Sequence, residues 1–190
     1  MLVLRIMDDQ LTEPDQARRD AAAAAVLVFA YGSNLSSARL RRRAPSAQAL
    51  TTARLDGYRL AFHKPGLDGS AKCDALYTGA HSDTVHGVVY RIDPADKPAL
   101  DTAESLGVGY AEHCVEVISP QGEWIRAGIY LALQIQPGLR PFDWYREHLL
   151  RGAREHGLSP AVVRGLSAVP CVVDPDTERR SRELAIYRGP

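Results

Sequence analysis

The clearest hydrophobic signal in the chain is a run of five apolar residues at 26–30, with the sequence Val-Leu-Val-Phe-Ala. Branched and aromatic side chains dominate this run, which is typical of a buried β-strand. The segment 31–35 follows directly and contains Gly32, which lets the backbone bend tightly. A helix-compatible stretch then extends as far as Pro45, which cannot continue a helix. The pattern predicts a strand, a tight turn and a short helix.

Apolar and polar positions alternate in five further segments that we predict to be β-strands. Residues 51–63 alternate imperfectly around a glycine, which indicates a turn or a bulge. Residues 73–78 and 85–92 form two strands in this prediction, and we expect them to be neighbours in the sheet. Residues 110–118 and 124–133 are joined by a Ser-Pro-Gln-Gly turn, which predicts a β-hairpin.

Three helices are predicted between and after these strands. Asp93 is a candidate N-cap with Pro94 at the first helical position, and this helix should extend to about Glu104. Residues 141–156 place apolar side chains on one face and are followed by a glycine stop. Residues 160–168 are predicted to form a shorter helix.

The order of these elements indicates the fold class. Strands that follow one another directly tend to pair with their sequence neighbours, whereas parallel sheets need a crossover helix each time. We therefore expect an α+β fold in which a small mixed, mainly antiparallel β-barrel is flanked by helices. A length of 190 residues suits one compact domain. We predict this domain at residues 25–170, with an N-terminal extension at 1–24 and a C-terminal tail at 171–190.

Charge narrows the functional classes. Lysine plus arginine and aspartate plus glutamate both total 23, so the formal net charge is zero. The total charge therefore gives no reason to expect binding to nucleic acid or to an anionic membrane. The basic cluster of Arg39, Arg41, Arg42 and Arg43 is accordingly predicted to be a solvated helix face. A small polar or zwitterionic molecule is the partner that fits a neutral chain.

Cysteine and histidine usage indicates neither a disulfide framework nor a metal site. The three cysteines are odd in number and widely spaced, and the six histidines show no ligand spacing. The longest apolar run, residues 21–30, is about half of what a helix needs to cross a bilayer. Residues 1–24 carry acidic side chains and lack the basic start of a secretory signal. We therefore expect a cytoplasmic protein.

The turn at residues 31–35 is the first candidate for chemistry. Ser33 and Asn34 are turn and cap formers whose short polar side chains bond to nearby backbone. A strand end, a tight turn and a helix start bring several backbone N–H groups together, and such donors can hold a carboxylate or a developing oxyanion. The turn alone does not distinguish this role from that of an ordinary surface turn.

Four motifs occur in a specific order along the chain. Tyr-Gly-Ser-Asn-Leu is at 31–35, His-Gly-Val-Val-Tyr at 86–90, Leu-Asp-Thr-Ala-Glu at 100–104 and Gly-Ala-Arg-Glu-His-Gly-Leu at 152–158. In this order and spacing they resemble the substrate loop, a core strand, the Leu-Asp-x-x-Glu segment and a helix end of the γ-glutamylcyclotransferase family. The resemblance covers about residues 29–158, and it depends on the motifs together rather than on any one of them.

The resemblance implies an enzyme of γ-glutamylcyclotransferase-like fold that needs no cofactor, metal or enzyme nucleophile. Members of this family cyclise a γ-glutamyl amide: its α-amine attacks its own γ-carbonyl, which releases 5-oxoproline and a free amino acid or amine. Glu104 matches the family's acid/base glutamate, and one carboxyl group can act as base and then as acid. The substrate-binding residues that the resemblance implies are Tyr31, Gly32, Ser33, Asn34, Leu35 and Tyr145.

Alternatives stay open for the substrate and for the class of protein. The amide partner could be an amino acid, an amine or part of a natural product, because two extra residues within 105–110 could reshape the pocket rim. A rival enzyme class is a cysteine hydrolase that uses Cys73 or Cys114, and a third class is a small-molecule binding module without catalysis. The oligomeric state, including a homodimer, is also open.

Overall fold

The computed structural model of the protein describes residues 25–188, so the predicted extension at 1–24 lies outside the described residues. In the described part of the chain, no helix is long and apolar enough to cross a membrane. The strands are β1 (Val26–Ala30), β2 (Gln48–Asp56), β3 (Tyr58–Pro65), β4 (Ala71–Tyr77), β5 (Thr84–Ile92), β6 (Tyr110–Ile118) and β7 (Trp124–Ala132). The helices are a 3₁₀ helix (Ser33–Leu35), α1 (Ser37–Arg41), α2 (Lys97–Ala103), α3 (Asp143–Glu155), α4 (Pro160–Ala168) and α5 (Thr177–Ala185).

Five strands close into a barrel in the order β1-β5-β2-β6-β7. Neighbouring strands are antiparallel except β1 and β7, which are parallel and meet at Val28 and Gly128. Fully buried side chains such as Val88 and Ile129 fill the core. The predicted α+β fold, a small mixed and mainly antiparallel barrel with flanking helices, is confirmed.

Strands β3 and β4 form a separate two-stranded sheet. The expectation that segments 73–78 and 85–92 are neighbouring strands is wrong, because β4 pairs with β3 whereas β5 pairs with β1 and β2. The cause lies at Gly57, whose φ of 80° is a left-handed conformation that favours glycine. Its N–H donates to the Asp83 carbonyl at 2.8 Å, and its carbonyl accepts from the Thr78 N–H at 2.9 Å. The chain therefore leaves the barrel and returns to it at one point.

Helix boundaries agree with the prediction for α4 and differ for α2. Helix α4 covers Pro160–Ala168, as predicted. Helix α2 begins at Lys97 rather than near Asp93, because the Asp93 carboxylate accepts a hydrogen bond from the Ala95 N–H at 2.8 Å and closes a turn first. The helix ends just before Glu104, which is its C-terminal cap.

Two glycines allow close contacts around the turn at 31–35. A Cβ atom on Gly87 would lie 2.5 Å from the Ala30 carbonyl oxygen, where β5 passes β1. A Cβ atom on Gly152 would lie 2.4 Å from the Leu35 carbonyl carbon, where α3 crosses the turn. Any larger residue would collide with backbone at both places, so the barrel and α3 fix the turn from two sides.

The tail beyond residue 170 is attached to α1 and α3. The buried carboxylate of Asp174 accepts hydrogen bonds from Trp144 Nε1 and Arg179 Nε, both at 2.7 Å. Further along the tail, Glu183 of α5 forms an ion pair with Arg39 of α1. These contacts place α5 beside the helix that follows the turn.

Candidate active site

The turn after β1 presents a group of backbone donors. The N–H groups of Gly32, Ser33 and Asn34 have no hydrogen-bond acceptor among the described residues. Tyr31 is fixed beside them, because its hydroxyl donates to the Tyr130 carbonyl oxygen at 2.5 Å. Neighbouring backbone N–H groups without acceptors form a concave site that suits an anion.

Glu104 contacts this turn through its carboxylate. Its Oε1 accepts hydrogen bonds from Asn34 Nδ2 at 2.8 Å and from Arg43 Nη1 at 2.5 Å. Arg43 also donates to Asn34 Oδ1 at 2.7 Å, so the three side chains form a closed triangle. Only 13% of the Glu104 side chain is exposed. Because hydrogen bonds between charged groups are short and strong, the guanidinium fixes the position of the Glu104 side chain.

A cavity of about 40 Å³ lies between the turn and Glu104. The seventh predicted residue, Leu35, does not line it: its side chain is buried in the core and lines a separate apolar cavity. Leu35 therefore supports the turn from behind. The six predicted site residues that do line the cavity are Tyr31, Gly32, Ser33, Asn34, Glu104 and Tyr145.

Two tyrosines hold the backbone of β4 against this cavity. The Tyr145 hydroxyl accepts a hydrogen bond from the Cys73 N–H at 3.0 Å, and the Tyr110 hydroxyl donates to the Cys73 carbonyl at 2.8 Å. Burial raises the pKa of both tyrosines well above 10.0, so both hydroxyls stay neutral. Cys73 and Tyr130 also line the cavity, and neither is among the substrate-binding residues predicted from the sequence.

A larger outer chamber of about 240 Å³ adjoins the small cavity, and Ser33, Glu104, Tyr110 and Tyr145 line both. Three ion pairs lie around it: Arg39–Glu183, Arg43–Glu104 and Lys72–Asp68.

Lys64 is a further cation of the chamber, and it has no ion-pair partner among residues 25–188. Its Nζ lies 4.9 Å from the centre of the Tyr110 ring. Burial lowers the pKa of Lys64, and the charges of Glu104 and Asp68 oppose that shift. The chamber therefore carries one uncompensated positive charge beside Glu104.

Two of the four clustered arginines correct the sequence prediction. Arg41 and Arg42 are exposed, as a solvated helix face requires. Arg39 and Arg43 are half-buried and bind Glu183 and Glu104, so the prediction is wrong for them. Their four-residue spacing was the available signal, because positions i and i+4 lie on one side of a helix.

Thiol and metal chemistry find no support in the site. Cys73 is buried, burial raises the pKa of its thiol, and no histidine within residues 25–188 hydrogen-bonds to its sulfur. Cys114 is exposed and does not line the cavity. In the same part of the chain, no group of three or more His, Cys, Asp or Glu side chains is arranged to hold a metal ion. The described geometry therefore disfavours a cysteine hydrolase.

Comparisons with known proteins agree with this geometry. The family model described as AIG2-like family matches residues 84–166. Human γ-glutamylcyclotransferase is 31% identical over 147 residues, which cover 75% of this chain and 78% of the human protein. The mouse γ-glutamylcyclotransferase matches to the same extent.

Solved structures show the same fold. A γ-glutamyl cyclotransferase superposes with a TM-score of 0.74 at 26% identity, and the match covers 87% of this chain and 99% of that protein. An uncharacterized human protein superposes with a TM-score of 0.73 at 27% identity, over 82% of this chain and 97% of that one. Together with the 31% identity over 75% of its length, this shows that the chain belongs to the γ-glutamylcyclotransferase family.

Proposed function

We propose that the protein is a γ-glutamylcyclotransferase, which cyclises a γ-glutamyl amide to 5-oxoproline and releases the amide partner. Family membership supports this activity. One observation carries the assignment of the site: the Glu104 carboxylate is hydrogen-bonded to Asn34, in the same turn whose backbone N–H groups border the small cavity. A proton-transfer group and an anion site are therefore adjacent, and the reaction needs both.

The small cavity fits one end of the substrate. Its volume of about 40 Å³ exceeds the ~10–15 Å³ that one water molecule needs, so it holds a small group such as a carboxylate but not the whole substrate. The N–H groups of Gly32, Ser33 and Asn34 can bind either the α-carboxylate of the glutamyl group or the oxyanion of the intermediate. The rest of the substrate then extends into the outer chamber.

Glu104 moves the proton in this mechanism. Its Oε1 is engaged by Asn34 and Arg43, whereas Oε2 has no hydrogen-bond partner among the described residues and is the oxygen open to substrate. As a carboxylate it takes a proton from the substrate ammonium, and the freed amine attacks the γ-carbonyl carbon. The tetrahedral intermediate then collapses: Glu104 gives the proton to the leaving nitrogen, the amide C–N bond breaks, and the ring nitrogen releases its second proton to the departing amine or to water. Holding attacker and target together in one molecule can contribute roughly 7 kcal/mol or more.

The charge of the outer chamber favours an amino acid over a polyamine as the amide partner. Three ion pairs of the chamber are neutral in total, and Lys64 adds one positive charge that has no partner among the described residues. A leaving amino acid carries a carboxylate that this charge attracts, whereas a cationic amine would be repelled. A γ-glutamylamine or a natural-product amide remains the alternative substrate class.

The activity is tested by measuring 5-oxoproline released from γ-glutamyl dipeptides and γ-glutamylamines. Glu104→Gln keeps the shape of the side chain but removes proton transfer, so kcat should fall roughly 10²- to 10⁴-fold. Glu116→Gln changes an exposed glutamate of β6 and should leave kcat unchanged. The proposal is wrong if the wild type releases 5-oxoproline from none of the amides, or if Glu104→Gln matches the wild type.

A further inference from the structure

A second large cavity lies outside the candidate active site. Its volume is about 690 Å³, which is within the range of small-molecule sites. It lies behind the turn: Tyr31 is the single residue that it shares with the small cavity, and it shares none with the outer chamber. β3, the start of β5, the loop at 138–141 and α4 form its walls. Most of the surface is apolar, with side chains such as Leu35, Leu60, Phe62, Leu158, Val162 and Leu166.

A glycine in helix α4 leaves this cavity open. Gly165 lines the cavity, and a Cβ atom added to it would meet no atom within 4 Å. Glycine inside a helix lowers helix stability relative to alanine, so a close contact usually explains it, as at Gly152 in α3. No such contact with a described residue exists at Gly165. A larger side chain there would occupy the cavity instead.

The charged groups of the cavity wall have one sign. Arg59 and Arg140 line the cavity, and no aspartate or glutamate does. Neither arginine has an ion-pair partner within the described part of the chain. Both arginines are exposed at the edge of the cavity. Because a guanidinium binds a carboxylate through two parallel hydrogen bonds, an apolar wall with two such groups at its edge is complementary to an amphipathic anion.

We propose that this cavity is a second binding site, which takes a small molecule with an apolar body and a carboxylate head. The apolar body lies against α4 and β3, and the carboxylate lies near Arg59 and Arg140. The site is separate from the proton-transfer group, because Tyr31 is the single residue that it shares with the small cavity and Glu104 does not line it.

Titration calorimetry of the full chain with decanoate tests the proposal directly. We expect saturable binding of decanoate and at least tenfold weaker binding of decyltrimethylammonium, which has the same chain and the opposite charge. The double variant Arg59→Gln/Arg140→Gln should bind decanoate about tenfold more weakly, because it loses charge-assisted hydrogen bonds. Arg164→Gln, an exposed arginine of α4, should bind like the wild type.

Gly165 gives a steric test that does not depend on charge. Gly165→Leu should project into the cavity and weaken decanoate binding at least tenfold while the thermal unfolding temperature stays the same or rises. Gly165→Ala adds one methyl group and should keep the binding. The proposal is overturned if decanoate does not bind the wild type, or if Gly165→Leu binds it as well as the wild type. If decanoate does not bind and Gly165→Leu dissociates an oligomer, a second copy of the chain occupies the cavity. That result also overturns the proposal.

Discussion

Arg43 joins two parts of the site, Asn34 and Glu104, that are 70 residues apart in the sequence. It holds the carboxylate of Glu104 and the amide oxygen of Asn34 at once, and each of these also bonds to the other. A guanidinium presents several donors in a rigid plane, so one side chain can fix both partners. Arg43 therefore positions the proton-transfer group relative to the anion-binding turn.

Replacing Arg43 should lower turnover without unfolding the protein. Arg43→Gln removes the charge beside Glu104, and small displacements of a reacting group can cost about 100-fold in rate. We expect kcat for 5-oxoproline release to fall by about this factor, and Arg43→Lys to retain more activity than Arg43→Gln. Arg42→Gln alters the exposed neighbour and should have no effect. Equal kcat in Arg43→Gln and the wild type would show that the triangle does not contribute to catalysis.

Helix α3 contributes to the site by supporting the turn from behind. The backbone of Leu35 lies so close to Gly152 that a Cβ atom there would be 2.4 Å away. Gly152→Ala should therefore displace the turn and cost about 1–3 kcal/mol of unfolding free energy, with a fall in kcat. The matched variant is Gly165→Ala in α4, which should gain about 0.5–1 kcal/mol. Urea unfolding of both variants checks the pair, and destabilisation of equal size in both would contradict the argument.

Helices α3 and α5 meet the turn at His148, which is fully buried. Burial lowers the pKa of His148 to about 4. Its Nε2 lies 3.1 Å from Arg39 Nη1 and 3.4 Å from Glu183 Oε2, and its Nδ1 lies 2.6 Å from the Tyr187 hydroxyl. When Nε2 accepts from the guanidinium, Nδ1 carries the proton and donates to that hydroxyl. That hydroxyl in turn donates to Ser36 Oγ at 3.0 Å. Burial, the largest cause, and the guanidinium of Arg39 favour the neutral imidazole, whereas the Glu183 carboxylate opposes them.

Stability should consequently depend on pH between about 6.5 and 4. The unfolded chain protonates His148 near pH 6.5, whereas the folded chain does so near pH 4, so the unfolded state binds more protons in this window. The free energy of unfolding should fall as the pH is lowered through it, by up to about 3 kcal/mol. Urea titrations at pH 7.5, 6 and 5 measure this loss. His148→Gln should be less stable at pH 7.5 and lose less on acidification; an unchanged pH dependence in that variant would assign the effect to other groups.

At the scale of the whole molecule, the sequence predicts what neighbouring residues determine. The β6–β7 hairpin and α4 follow from local turn and cap residues, and both match closely. Other features depend on elements that are distant in the chain, namely the pairing of β4 with β3 and the burial of Arg39 and Arg43. The alternation of apolar and polar residues and the net charge do not indicate such long-range contacts. Six of the seven predicted site residues line one cavity, because the motifs that contain them meet in the fold. Leu35 belongs to the same motif as the turn, but its side chain is buried in the core.

The C-terminal tail provides the last prediction for the whole molecule, because the sequence predicts a domain that ends at residue 170. In the described structure, it supplies Asp174 to Trp144 and Glu183 to Arg39. Deleting 171–190 removes the carboxylate partners of Arg39 and Trp144, and the loss of a hydrogen bond to a charged group costs about 1.5–3 kcal/mol. We expect the truncated chain to lose at least that much unfolding free energy and most of its activity. Glu183→Gln removes the charge alone and should reproduce part of the loss. If the truncated chain has the stability and kcat of the full protein, the prediction is wrong. The barrel and its turn would then be stable without residues 171–190.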